Sequence, residues 1–215
     1  MANLTYKHGT MGSGKSMALL MGAYNLENIN KKIVVIKSSI DTKADDRIQT
    51  RIGIERKVDI LLAPEESLTK YFEEWKKDKV FQIFVDEAQF LTEKQVQELW
   101  YFTKKYNIPV ECYGLKSQFD LHFFQGSAPL MELADKIVEL PTPAICSCCG
   151  EKATINARYL NGKIELPGGE RIVIDGADSY EYKPLCGNCY IDEVEKMTGK
   201  PIIEVPKKKV KKRGE

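Results

Sequence analysis

Three groups of residues in this 215-residue chain have types and spacings that could do chemistry. Gly9-Thr10-Met11-Gly12-Ser13-Gly14-Lys15-Ser16 fits G-x-x-x-x-G-K-[ST] in full. Its glycines let backbone N–H groups turn inward around phosphate oxygens, and a helix N-terminus behind them adds partial positive charge. In that frame Lys15 neutralises the β- and γ-phosphates of ATP, and the Ser16 hydroxyl holds Mg²⁺. The second group is Asp86-Glu87, which follows the apolar run Val80–Val85. A buried strand there delivers two carboxylates to the edge of a sheet where open α/β folds bind ligands. Asp86 suits a Mg²⁺ partner. Glu87, pointing elsewhere, suits a proton acceptor, taking the proton of water in an ATPase or of a hydroxyl in a kinase.

Cysteines form the third group. Cys146-x-x-Cys149 and Cys186-x-x-Cys189 are two knuckles that supply four thiolates to tetrahedral Zn²⁺ with no open position, which makes the metal structural. The 36 residues between them exceed the roughly 15–20 of a plain zinc ribbon, so a long loop must leave the metal and return. Cys148 reads as a spare thiol, and Cys112, inside a strand, as a small core residue. Two histidines, His8 and His122, leave little room for a His-activated nucleophile, because neither sits beside a nucleophile motif.

The elements that must position these groups alternate strand and helix. Leu4–His8 is a strand, and Lys15–Leu26 is a helix with Met17, Leu20, Met21 and Tyr24 at helical spacing. Ile33–Ile36 suits a strand buried on both faces, and Val58–Leu62 suits another. Pro64 opens a helix through Trp75. Val80–Val85 is a third buried strand. Thr92-Glu93-Lys94-Gln95 is a capping box for a helix with Val96, Leu99, Trp100 and Phe102 on its apolar side. Pro109–Tyr113 is a strand, Leu130–Ala134 a short helix and Ile137–Leu140 a last strand. Such alternation predicts an α/β fold, a parallel sheet covered by helices.

Composition sets the outer limits. Lys+Arg 32 against Asp+Glu 31 leaves a net charge of +1, so no global field draws the chain to nucleic acid or membrane. The apolar runs are far shorter than the roughly 20 residues of a membrane span. The first residues lack a signal peptide's hydrophobic stretch, so a cytoplasmic protein is expected. Pro141-Thr142-Pro143 marks a change of texture and divides the chain into a P-loop domain at 1–141, a zinc-binding domain at 142–193 and a basic, disordered tail at 194–215.

Taken together, the three groups resemble the type II thymidine kinases, a cytosolic family with a P-loop (RecA-like) sheet and a zinc-bearing lasso domain. The likeness spans residues 1–190. The family's loop, G-x-M-x-S-G-K-[ST], is matched by Gly9, Met11, Ser13, Gly14, Lys15 and Ser16. Asp86-Glu87-Ala88-Gln89-Phe90 matches its acidic box. Ile40-Asp41-Thr42-Lys43 is similar to its Asp-Thr-Arg segment, and Gly114-Leu115 with Phe119 and Phe124 follows its G-L-D-x-x-F-x-x-x-x-F stretch. Asn156 and Arg158 follow the first knuckle, and Ile174 and Tyr180 precede the second. The departures are Lys116 where most members carry Asp, Asn156 where many carry Thr, and a Tyr180-to-Cys186 interval about two residues longer than usual.

The resemblance implies transfer of a phosphate from ATP to the 5′-hydroxyl of thymidine, with Glu87 as catalytic base. It implies that Gly9 to Ser16 and Asp86 to Gln89 bind ATP, with Ser16 and Asp86 at magnesium. Met11, Phe90, Leu115, Phe119, Phe124, Asn156, Arg158, Ile174 and Tyr180 would bind thymidine. It also implies a homotetramer inhibited by dTTP, with no nucleic-acid or membrane partner. The lasso, with Ile172–Tyr180 at its tip, should close over the nucleoside. Two rivals share parts of this pattern. A nucleic-acid-dependent P-loop ATPase with a zinc ribbon has the same motifs, but a motor helicase needs a second ATPase lobe that this length cannot hold. A zinc scaffold that binds nucleotide without turnover is the other.

Overall fold

A computed structural model describes residues 1–42, 44–166 and 180–203. Strand β1 (Leu4–His8) leads through the glycine loop into helix α1 (Lys15–Asn28), and β2 (Ile33–Ser38) follows. A small hairpin, β3 (Arg47–Gln49) with β4 (Glu55–Lys57), precedes β5 (Ile60–Leu62). Then come α2 (Phe72–Lys77), β6 (Gln82–Asp86), α3 (Glu93–Tyr106), β7 (Val110–Gly114), α4 (Ser127–Leu133) and β8 (Lys136–Glu139). Six of these strands form one sheet in the order β5-β2-β6-β7-β1-β8, and every pairing in it is parallel.

Alternate side chains along each strand point to opposite faces, so one strand feeds two cores. Val34, Ile36, Ile83, Val85 and Cys112 face a core closed by Trp75, Phe72, Leu99 and Phe102 from α2 and α3. Val35, Phe84 and Tyr113 face the other way, onto Leu19, Leu20 and Ala23 of α1. The sequence places Met21 and Tyr24 on the apolar side of α1, yet they are 51% and 59% exposed, because the helix turns its Leu19-Leu20-Ala23 side to the sheet. Trp100 is likewise off the buried side of α3 and 37% exposed. Cys112 is fully buried, as a small core residue should be.

The Thr92 capping box forms as expected: Gln95 N–H donates to Thr92 Oγ1 at 3.2 Å and Thr92 N–H to Gln95 Oε1 at 3.0 Å. The same Gln95 explains why no helix starts at Pro64. Its Nε2 donates to the carbonyls of Ala63 at 2.8 Å and Glu66 at 2.9 Å, oxygens that a helix would need for its own ladder. Buried Glu98 accepts the Leu68 N–H at 2.7 Å, so the helical path begins only there, as a 3₁₀ turn over Leu68–Tyr71.

The second region is antiparallel. Strands β9 (Ile155–Leu160), β10 (Lys163–Ile164) and β11 (Tyr180–Leu185) form a sheet in the order β10-β9-β11, followed by α5 (Gly187–Thr198). A small core of Ala157, Tyr159, Ile164, Leu185, Tyr190 and Val194 joins them. Helix α5 runs through the boundary expected at residue 193 and ends at Thr198. The rest of the basic tail, from 204, and the lasso tip at 167–179 lie outside the described residues, Ile174 among them. Among the described residues no helix is long and apolar enough to cross a membrane.

Candidate active site

The glycine loop joins the end of β1 to the start of α1, as a phosphate loop requires. Gly14 caps α1 in the left-handed region at φ +77°, where an L side chain would be strained. Lys15 is buried, with Nζ donating to the carbonyls of Thr10 at 2.9 Å and Gly9 at 3.2 Å. Burial lowers its pKa, while Glu87 and Asp86 pull it back up. The Ser13 hydroxyl is buried without a hydrogen-bond partner. An orphaned donor inside a glycine loop fits a phosphate oxygen.

Strand β6 ends on Asp86, 3% exposed, beside Lys37 of β2. Burial pushes the Asp86 carboxyl up to about 7, the Glu87 charge adds to that, and a hydrogen bond from Ser16 draws it down. Ser16 and Asp86 therefore meet, as the two motifs imply. Glu87 leaves the strand in the left-handed region at φ 50°, an uncommon backbone for a residue with a side chain. From there it lines the cavity. Gln89 holds it there: Nε2 donates to Glu87 Oε2, while Oε1 accepts the Leu115 N–H at 3.0 Å. Gly114 permits this clamp, since a Cβ there would lie 2.7 Å from Gln89 Oε1.

Around these groups opens a cavity of about 520 Å³. From the glycine loop it is lined by Met11, Gly12, Gly14, Lys15 and Ser16, and from the region after β6 by Glu87 and Gln89. Its apolar lining is Phe90, Leu115, Phe119 and Phe124, and Asn156 lines it too. The Phe90 and Phe124 rings meet edge to face at 5.8 Å. Gly9, Thr10, Ser13, Asp86 and Ala88 do not line the cavity. Asn156 comes from β9 and accepts the Met11 N–H on its Oδ1 at 2.7 Å, joining the antiparallel sheet to the glycine loop.

Two expected nucleoside contacts sit elsewhere. Arg158 is fully buried behind the cavity, its guanidinium 3.6 Å from the centre of the Phe119 ring and its Nε donating to Glu165 at 2.6 Å. Tyr180 packs over the same guanidinium at 5.2 Å, and it is Tyr182, two residues nearer Cys186, that lines the cavity. The long Tyr180-to-Cys186 interval is the signal that points to Tyr182. Gln49, Thr50, Arg51 and Ile52, from the hairpin β3–β4, also line the cavity. No motif marks them.

Cys146, Cys149, Cys186 and Cys189 bring their sulfur atoms within 4.8 Å of one another, with Cys149 and Cys186 at 3.6 Å. Bonds of about 2.3 Å in a tetrahedron separate sulfurs by about 3.8 Å, so the set fits structural zinc. Burial opposes ionisation of Cys146, yet the amides of Cys186, Cys148 and Cys149 bring its thiol down to about 6. Cys148 stands outside the cluster.

A glycine phosphate loop on a parallel sheet, a carboxylate pair at the end of β6 and a four-cysteine module that fits zinc define a P-loop phosphotransferase with a zinc-binding appendage. The sequence model of the family "Thymidine kinase" matches residues 2–190. A thymidine kinase of Lactobacillus acidophilus is 39% identical over 194 residues, 86% of this chain and 94% of that protein. One of Streptococcus pyogenes serotype M3 is 36% identical over 193 residues, 89% of this chain and 98% of that one. The chain belongs to the thymidine kinase family, which makes it a deoxynucleoside kinase. Among solved structures, Bacteroides Pif1 bound to ssDNA aligns at a TM-score of 0.37 and 17% identity, covering 64% of this chain and 38% of that one. Pif1 helicase from Candida albicans aligns at 0.35 and 15%, over 65% and 36%. At that distance the likeness carries no weight.

Proposed function

We propose that this protein transfers the γ-phosphate of ATP to the 5′-hydroxyl of thymidine, giving dTMP and ADP in nucleotide salvage. One observation supports the reading: a single cavity is lined both by Lys15, Ser16 and Glu87 and by the Phe90–Phe124 ring pair. Such a mixed lining suits a triphosphate meeting an uncharged nucleoside. Residues 9–16 seat the phosphates, and Lys15 leaves the Gly9 and Thr10 carbonyls to reach them. Ser16 and Asp86 would hold Mg²⁺, which neutralises charge on the phosphates. Glu87, aimed by Gln89, accepts the 5′-hydroxyl proton as that oxygen bonds to the γ-phosphorus, and the β–γ bridging oxygen leaves with ADP.

Phe90, Leu115 and Phe124 form the floor under the thymine, with Tyr182 and the lasso residues, Ile174 among them, closing above it. Gly9, Thr10, Gly12, Ser13 and Gly14 serve the phosphates through their backbones, and Ala88 belongs to the ATP-binding segment 86–89. Residues 1–141 act as the kinase domain and 142–193 as the zinc-bearing lasso domain. Assembly as a homotetramer, inhibition by dTTP and a place in the cytoplasm belong to the same proposal. Incubating the protein with Mg-ATP and a panel of nucleosides tests it: dTMP should form fastest. Absence of any nucleoside monophosphate, with ATP hydrolysis stimulated by single-stranded DNA, would replace it with the helicase-type reading.

A further inference from the structure

Leu115 is held from two sides. Its carbonyl oxygen has two lone pairs, and two hydroxyls meet them: Tyr6 of β1 donates at 2.7 Å and Ser127, at the start of α4, donates at 2.6 Å. The hydroxyl oxygens themselves are 3.2 Å apart. Both side chains are fully buried, and burial pushes the Tyr6 phenol above its ordinary range, so it keeps its proton at any pH at which an enzyme works. On the other side, the Leu115 N–H donates to Gln89 Oε1 at 3.0 Å, and Gln89 Nε2 donates to Glu87. Hydrogen bonds therefore bear on Leu115 from Tyr6 and Ser127, and lead from it through Gln89 to the Glu87 carboxylate.

Close packing leaves this line little slack. A Cβ on Gly114 would lie 2.7 Å from Gln89 Oε1, and one on Gly126 would lie 2.4 Å from the Ala88 carbonyl oxygen. The Gly126 N–H donates to the Gln89 carbonyl at 3.0 Å, and Ser127 is the next residue. Neither Tyr6 nor Ser127 lines the cavity, so neither acts by touching a ligand there. A carbonyl that loses one of its two donors is free to tilt, and Leu115 carries Gln89 with it. The catalytic consequence of such a shift is large, since a misplacement of about 1 Å can cost about 10²-fold in rate.

We propose that Tyr6 is a positioning residue: together with Ser127 it fixes Leu115 and, through Gln89, the carboxylate of Glu87. This rests on the reading of Glu87 as the base that takes the 5′-hydroxyl proton. Tyr6 gives up no proton; its part is geometric.

The test compares wild type, Tyr6→Phe, Ser127→Ala, Gln89→Met and the double variant Tyr6→Phe with Gln89→Met, each as the zinc-loaded full chain. Tyr6→Phe keeps the ring and removes only the hydroxyl. Its kcat should fall about 3- to 10-fold, the scale of one net hydrogen bond, with the KM of ATP and of thymidine within about twofold of wild type. Ser127→Ala should lose a similar factor. Gln89→Met cuts the line to Glu87, so adding Tyr6→Phe to it should cost less than about 1.5-fold more. A merely structural role would cost the double variant the full factor again. That result would overturn the proposal, as would a Tyr6→Phe turnover equal to wild type. Hydrogen exchange read by mass spectrometry needs no turnover. Tyr6→Phe should speed exchange in the peptides that carry Gln89 and Leu115 and leave α3 and the zinc module unchanged; a uniform change, or none, would overturn the link. If wild type makes no dTMP, the functional reading falls and the exchange measurement still decides whether Tyr6 holds Leu115 and Gln89. Melting temperatures well above that of the assay check that the variants are folded.

Discussion

The parallel sheet and the zinc module hold their shapes by opposite means. The central strands β2, β6 and β7 bury side chains on both faces, under α1 on one side and α2 and α3 on the other. Among the described residues the zinc module has three short strands, one helix, a small core and a cluster of four thiols. The sheet can therefore carry strain at its strand ends, such as left-handed Glu87 and buried Asp86, because its core over-determines them. The module brings Asn156 and Tyr182 to the cavity, and its four cysteines fit a structural metal.

The largest expected effect breaks that comparison directly. A structural zinc site contributes on the order of 10–16 kcal/mol of folding energy, far more than the module's apolar core can replace. Stripping zinc with a chelator should open the segments around the knuckles to protease and abolish thymidine binding. Both tryptophans of the chain, Trp75 and Trp100, belong to the sheet region, so their fluorescence reports on it alone. Their emission should not change at chelator concentrations that release the zinc. A simultaneous change would show that the two regions melt as one.

Next in size is the strain at Asp86. Its carboxyl, pushed up to about 7, takes up a proton on folding between its ordinary value near 4 and pH 7. Its stabilising contribution is present at low pH and is lost as pH rises through that window. Asp86→Asn should therefore stabilise the free protein at pH 8 by up to about 4 kcal/mol, and by almost nothing at pH 4, while destroying kinase activity. Denaturant melts of both proteins across pH 4–8 measure the difference, and parallel curves would refute it.

Glu87→Gln is a purely chemical change in the same place. Turnover should drop about 10²-fold or more with ATP and thymidine binding kept, since Gln retains the reach of Glu but takes no proton. Steady-state kinetics retaining over half the rate would remove Glu87 from the role of base. The smallest effect sharpens the other side of the comparison. Tyr182→Ala should raise the thymidine KM about three- to tenfold, the value of a lost ring contact, and Tyr180→Ala should change it less. The reverse order would put Tyr180 back on the thymine.

What could be read from the sequence was local. Gly9 to Ser16, Asp86-Glu87 and each of the two cysteine pairs are short local patterns, and their spacing marks them without knowledge of the fold. The parallel sheet followed from strand–helix alternation. The start of the helix near Pro64 was not legible, because Gln95 and Glu98, some thirty residues away, take over the groups that decide it. The hairpin β3–β4 was equally hidden, since Arg-Ile-Gln and Glu-Arg-Lys are too short and polar to signal strands. Tyr182 and Tyr180 stand on the same face of β11, opposite Arg158 and Leu160, and only the rung each occupies separates cavity from wall.

The bond between Met11 and Asn156 spans 145 residues of chain, and β1 pairs with β7 from Val110 and with β8 from Lys136. A ribosome adds about 5–20 residues each second. The phosphate loop is thus translated before the strands that flank it and waits roughly 5 to 25 seconds for them. Its last tie arrives later still, with the residues that bind zinc. A nascent chain exposes a glycine loop and an unpaired apolar strand for that whole interval, and chaperones that shield the first forty residues should raise the yield of active enzyme.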